Sequence, residues 1–154
     1  MGAGKTVVGK ELSKIMGFKF VDTDDMIEKE QGIAIKAIFA ARGEEYFRSL
    51  EKELCKKLAL TGNSVISTGG GMLVKPENAE ELRKSGKIVF LDASFETICE
   101  RIGNNTNRPL FQDIDKARAL YDERKAKYNA AADYVVSGDM SARKTALTIA
   151  EIFK

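Results

Sequence analysis

Histidine is absent from this 154-residue chain, as is tryptophan, and cysteine and proline occur only twice each. Without histidine, Ser-His and Cys-His nucleophilic pairs and histidine-ligated zinc are excluded. Chemistry is left to lysine, arginine, carboxylates, hydroxyls, backbone groups and hard metal ions. The two cysteines, Cys55 and Cys99, have no metal-ligand spacing and are too few to staple a fold. They fit a reducing, cytoplasmic setting in which a free thiol packs as a small hydrophobe. No apolar run approaches the roughly 20 residues a membrane helix needs. No signal peptide is expected either, because Met1-Gly2-Ala3-Gly4-Lys5-Thr6 runs straight into a helical pattern. Charge of one sign is missing too. The 25 basic and 23 acidic residues leave +2, which gives no reason to expect nucleic acid or an anionic membrane as partner. What is present is a 44% hydrophobic, 31% charged composition, which suits one domain with a buried core and is too apolar for disorder.

Periodicity predicts a first helix over about 5–16, with Val8, Leu12, Ile15 and Met16 on one face and Gly17 as its stop. A short strand, Phe18-Lys19-Phe20-Val21, follows and closes on Asp22-Thr23-Asp24. Helices are expected over 24–30, 35–43 and 44–60, the last two parted by Gly43. Ser64-Val65-Ile66-Ser67 is a strand running into Gly69-Gly70-Gly71. Pro76 opens a helix for which Gly86 is the expected C-terminal cap. A strand over 87–91 precedes a helix capped by Ser94, and 103–113 is polar and helix-poor. A helix over 114–131, a strand over 134–136 and a helix over 142–153 complete the chain. Strands alternating with helices imply an α/β fold, a parallel sheet covered on both faces.

Several segments carry chemistry. Gly4-Lys5-Thr6 matches the end of the phosphate-loop pattern G-x-x-x-x-G-K-[ST]. There small residues let backbone N–H groups face phosphate oxygens, the lysine reaches the outer phosphates and the hydroxyl ligates Mg²⁺. A chance tripeptide ahead of a helix is the alternative. By the pattern's spacing, its first glycine would stand two residues before Met1. Asp22 and Asp24, leaving a strand at i and i+2, can serve a metal and a hydroxyl at neighbouring points. They can equally be a helix N-cap and a first-turn acid. Arg48, followed by Glu51, offers a planar fork suited to a carboxylate, or a plain i,i+3 surface pair. Three consecutive glycines, 69–71, are costly in entropy and make sense where backbone approaches a ligand closely.

Together these segments resemble the shikimate kinase family over nearly the whole chain. The resemblance rests on Gly4-Lys5-Thr6, Asp22-Thr23-Asp24 and Ile38-Phe39 through Gly43-Glu44 to Phe47-Arg48. It extends to the triple glycine, Asn107-Arg108-Pro109 and Arg124 with Tyr128 and Ala131. It implies ATP-dependent phosphorylation of shikimate, with Mg²⁺ as cofactor, by a cytoplasmic, monomeric enzyme. Gly2, Ala3, Gly4, Lys5, Thr6 and Val7 would hold the ATP phosphates, and Thr6 and Asp22 the metal shell. Asp24 would bind the ring hydroxyls and act as base. Arg48 and Arg124 would clamp the substrate carboxylate, and Gly69, Gly70 and Gly71 would lie against the ring. Arg108 would close over the phosphates from a mobile lid at about 103–113, making Lys5, Asp24 and Arg108 the catalytic set.

Arg101 would lie along the adenine, or else be a solvated helix residue. Arg124 is singled out by motif position among several cations on its helix, most of which read as a charged face. Residues 137–141 lack the proline often found in the family's adenine loop. The implied architecture is a single three-layer αβα domain over 1–154, with a substrate-binding region at about 22–60. The family's sheet has five parallel strands, of which the first, central one is expected to be absent here. Two other outcomes follow from the same residues: a related small-metabolite kinase such as a gluconate kinase, and a chain weakened by the missing strand.

Overall fold

The computed structural model describes residues 2–103 and 113–154. The lid segment and Arg108 therefore fall outside the described residues, apart from Gly103 and Asp113. Four strands and seven helices are found among the described residues. In order they are α1 (Lys5–Met16), β1 (Lys19–Asp22), α2 (Thr23–Gln31), α3 (Ile35–Leu58) and β2 (Ser64–Ser67). Then come α4 (Pro76–Arg83), β3 (Val89–Asp92), α5 (Phe95–Ile102), α6 (Ile114–Ala131), β4 (Tyr134–Ser137) and α7 (Ala142–Ile152). A single 3₁₀ turn, Met72–Val74, follows the triple glycine.

The local causes are visible at the element ends. Asp22 caps α2, Ser94 caps α5 and Asp113 caps α6, each accepting from backbone N–H groups of the first turn. The two helices expected on either side of Gly43 run on as α3 across a kink. Gly43 has φ 81° and ψ 174°, a conformation a side chain would strain. Gly86 is not the cap of α4. That helix ends at Arg83, and the Gly86 N–H instead donates to the Leu82 carbonyl at 3.1 Å, in the turn that leads to β3.

The strands pair in parallel, as expected of a sheet without its central strand. β1 pairs in parallel with β2, with Lys19 opposite Ser64 and Asp22 opposite Ser67. β3 pairs in parallel with β4, with Val89 opposite Tyr134 and Asp92 opposite Ser137. Among the described residues the two pairs remain separate two-stranded sheets. The facing edges of β2 and β3 instead border a common cavity of about 450 Å³ over Val8, Leu12 and Ile149.

Two apolar clusters hold the halves. One gathers Val8, Leu12, Leu91, Ile98 and Ile149, where α1 packs on α7. The other gathers Val21, Ile27, Ile38, Phe47 and Leu54 around α2 and α3. Cys55 is fully buried in the second, and burial pushes its thiol up to about 12. It is a packing residue, as its sequence context implied. Among the described residues, no helix is long and apolar enough to cross a membrane.

Candidate active site

The loop entering α1 is shaped by Gly2 and Gly4, both at positive φ. A Cβ on Gly2 would stand 2.7 Å from Cδ1 of Ile102, so the loop lies tight against α5. Gly4 turns the chain so that its carbonyl receives the Val8 N–H at 2.9 Å, and the N-terminus of α1 opens beside Lys5. Ala3 is buried, whereas Thr6 and Val7 are exposed on the first turn of α1. Arg101 reaches back from α5 to this loop. Its guanidinium donates to the Ala3 carbonyl at 3.2 Å, to Gly138 at 2.7 Å and to Met140 at 3.4 Å. It is thus a staple between the phosphate-type loop and the β4–α7 connection, a role that neither sequence reading of Arg101 contained.

Thr6 and Asp22 meet. The Thr6 hydroxyl donates to Asp22 Oδ2 at 3.2 Å, while Oδ1 of the same carboxylate accepts the Asp24 and Asp25 N–H groups at 3.0 and 3.3 Å. Asp22 is therefore the N-cap of α2 through one oxygen, while its other oxygen is turned to Thr6. Asp24 stands one step further, in the first turn of α2. Burial raises its pKa, the Asp22 charge raises it further, and Lys5 works the other way.

The triple glycine is the organising piece. Each residue lies against a different charged side chain, so closely that a Cβ would press on it. A Cβ on Gly69 would be 2.6 Å from Asp24 Oδ1, and one on Gly70 would be 3.0 Å from Arg124 Nη1. One on Gly71 would overlap the Arg48 guanidinium. Backbone thus fills the space between three side chains contributed by α2, α3 and α6. Thr23, fully buried, fixes the approach by accepting the Gly69 N–H on its hydroxyl at 2.9 Å. Nothing in the sequence marks Thr23 for this, since its partner lies 46 residues away.

Arg48 is bound on both sides. Nη1 donates to Glu51 at 2.7 Å and Nη2 to Glu44 at 3.3 Å. Burial works against its charge, but the hydrogen bonds and charges of Glu51 and Glu44 together outweigh that and raise its pKa. Glu51 is only 1% exposed, so this is no surface pair. Burial raises the Glu51 pKa despite the lowering effect of Arg48.

Arg124 and Tyr128 project from α6 into a small cavity of about 70 Å³ that also reaches Lys5, Gly69 and Gly70. The Tyr128 hydroxyl donates to the Gly70 carbonyl. α6 itself is fixed at several points. Lys125 pairs with Asp92 at 3.1 Å, the Tyr121 hydroxyl donates to the Ala93 carbonyl at 2.9 Å, and Arg83 donates to the carbonyls of Ala130 and Ala131.

The assembled groups suit phosphoryl transfer. A glycine-bounded helix N-terminus with a lysine faces a hydroxyl–carboxylate pair on one side, and on the other a carboxylate and two guanidinium groups. Comparisons with known proteins cover the whole chain. The family model for shikimate kinase matches residues 1–154. A shikimate kinase of Persephonella marina is 43% identical over 138 residues, covering 89% of this chain and 84% of that one. Among solved structures, shikimate kinase from Acinetobacter baumannii in complex with shikimate superposes with a TM-score of 0.88. It is 34% identical, covering 99% of this chain and 88% of the other. A gluconokinase from Sinorhizobium meliloti gives a TM-score of 0.54 at 16% identity over 99% of this chain and 90% of its own, a likeness of fold alone.

Proposed function

Because the chain belongs to the shikimate kinase family, we propose that it transfers the γ-phosphate of ATP to the 3-hydroxyl of shikimate. The products would be shikimate 3-phosphate and ADP, a step in aromatic amino acid biosynthesis. The observation that carries this reading is the triple glycine, whose three residues hold Asp24, Arg124 and Arg48 around one small space. That spacing suits a compact ring carrying a carboxylate at one end and hydroxyls at the other.

Arg48 and Arg124 hold the substrate carboxylate. Each is a planar fork, and Glu51 keeps Arg48 aimed. Asp24 accepts the attacking hydroxyl's proton as the new O–P bond forms. Its neighbour Asp22 and its burial raise its basicity for that task, while Lys5 limits the rise. Gly2, Ala3, Gly4, Lys5, Thr6 and Val7 form the phosphate-binding turn, in which Lys5 balances charge on the transferred group as the bond to the ADP oxygen breaks. Arg108, outside the described residues, takes the lid role that its motif implies.

The donor set fits Mg²⁺. The Thr6 hydroxyl and Asp22 carboxylate are hard oxygen ligands already in hydrogen-bond contact, and phosphate oxygens would complete the shell. When bound, the ion supplies charge neutralisation on the phosphates. Arg101, tied to Ala3 and Gly138, shapes the rim where the adenine would lie. The enzyme works as a single-domain, cytoplasmic monomer in this reading.

Shikimate-dependent release of ADP from Mg-ATP is the deciding measurement, with gluconate as a parallel acceptor. ADP release that rises only with shikimate supports the assignment. Release that is independent of shikimate, or driven by gluconate, overturns it.

A further inference from the structure

Tyr128 has a role that the motifs did not assign. It lies one helical turn beyond Arg124 on α6, so the two side chains leave the same face of the helix. Its hydroxyl donates to the carbonyl of Gly70 across 58 residues of sequence. Arg124 approaches the same point. A Cβ built on Gly70 would be 3.0 Å from Arg124 Nη1 and 3.6 Å from the Tyr128 oxygen, so peptide, guanidinium and phenol share one corner. Arg124 thus stands beside the phenol, and its charge works against the rise that burial gives the phenol's pKa. The directions are compatible, because the guanidinium only donates, the phenol both accepts and donates, and the carbonyl only accepts. The phenol ring is held independently, with its centroid 5.4 Å from that of Phe90 on β3.

We propose that Tyr128 is a positioning residue whose hydroxyl ties the Arg124 guanidinium to the Gly70 carbonyl and so sets how Arg124 meets the substrate carboxylate. This rests on the shikimate reading above. The geometry favours it over a purely structural latch for two reasons. α6 is already anchored to β3 by Lys125–Asp92, to the residue after β3 by Tyr121–Ala93 and at its end by Arg83, so the helix does not depend on Tyr128 for its place. Moreover, the phenol bonds the middle glycine, the one facing Arg124, and not Gly69 or Gly71. A guanidinium left without this support keeps its charge and loses its orientation. That weakens bidentate capture and leaves the phosphate side untouched.

The test is Tyr128→Phe, which keeps the ring against Phe90 and removes only the hydroxyl. Steady-state kinetics are measured with shikimate and with its uncharged carboxamide. With shikimate, KM should rise about tenfold, the loss expected for one hydrogen bond to a charged group. KM for ATP and kcat should stay within about twofold. With the carboxamide, the variant and parent should differ by less than twofold, because the interaction being positioned is already lost. Equal penalties on both substrates, or an unchanged KM for shikimate, would overturn the positioning role. A melting curve on the same samples shows whether the fold is kept, and Tyr128→Leu, which also loses the ring, gives the structural penalty for comparison. A parent protein with no shikimate-dependent turnover would overturn the functional reading and this inference together. An active parent with a uniform penalty overturns this inference alone.

Discussion

Glu51, at 1% exposure, holds Arg48 at 2.7 Å, and the pair joins a nearly dry carboxylate to a guanidinium that is still one-quarter exposed. The asymmetry decides what removing either partner does. Losing Arg48 strands a buried charge, whereas losing Glu51 leaves a cation that water can reach. Arg48→Met should therefore cost more stability at neutral pH than Glu51→Gln, by roughly 1–3 kcal/mol. The pH dependence has a definite sign. Burial already raises the Glu51 pKa, and without Arg48 it rises further. An acid whose folded pKa lies above its unfolded value binds more protons when folded, so stability falls as pH climbs from the unfolded value through the folded one. The melting temperature of Arg48→Met should thus approach the parent's near pH 4–5 and fall away above it. A pH-independent difference would show that Glu51 is not the source.

The glycines make separable predictions, since each guards a different partner. Gly69→Ala presses on Asp24 and should lower kcat more than it raises KM. Gly71→Ala presses on the Arg48 guanidinium and should raise KM for shikimate by about tenfold or more, with kcat less affected. Because the obstructing atoms are ends of flexible side chains, both variants should fold. Indistinguishable kinetic profiles for the two would argue against a platform read residue by residue.

Asp24→Asn exchanges function for stability. The carboxylate is held against burial and the charge of Asp22, so its pKa is raised and its ionised form disfavours the fold. Above the usual carboxylate pKa, the neutral amide should raise the melting temperature, and the gain should vanish toward pH 3, where the parent's carboxyl is also neutral. The same substitution should reduce kcat by about 10²–10⁴-fold. A variant both slower and less stable at pH 7 would show that Asp24 carries a structural contact instead.

The elements were legible wherever a local signal ends them. Gly17 closes α1, Ser94 caps α5, and the kink at Gly43 lies where the pattern broke. Gly86 misled for the same reason in reverse. A glycine after a helical pattern reads as a cap, yet α4 stops at Arg83, three residues earlier. The pairing of β1 with β2 and of β3 with β4 has no local signature, and neither does the cavity between the pairs. In the candidate site, Asp24, Arg48 and the glycines stand out by residue type and spacing, whereas Arg124 is singled out only by its motif position in the family resemblance. Thr23 and the Tyr128 hydroxyl do not stand out, because each acts on a glycine backbone group 46 or 58 residues away. Arg101 was expected along the adenine or in solvent, but its partners are carbonyls, which no side-chain pattern reveals.

The contact between Thr6 and Asp22 gives the metal its test. Asp22 divides its work, with Oδ1 capping α2 and Oδ2 accepting the Thr6 hydroxyl at 3.2 Å. Thr6→Val removes one hydroxyl from an exposed helix turn and leaves the cap in place. Its effect on stability should therefore stay near the roughly 1 kcal/mol of a single hydrogen bond. If Thr6 and Asp22 form the protein side of the Mg²⁺ shell, the variant should need about tenfold more Mg²⁺ for half-maximal ADP release at fixed ATP. Excess chelator should abolish turnover in both proteins, and KM for shikimate should not move, because the carboxylate clamp lies elsewhere. Asp22→Asn separates the oxygens' two duties. An amide placing its oxygen at the helix still caps α2, but it meets the metal side with an NH₂ group. The fold should then survive while the Mg²⁺ requirement rises at least as far as in Thr6→Val. A Mg²⁺ titration in which neither variant shifts from the parent would remove Thr6 and Asp22 from the metal site.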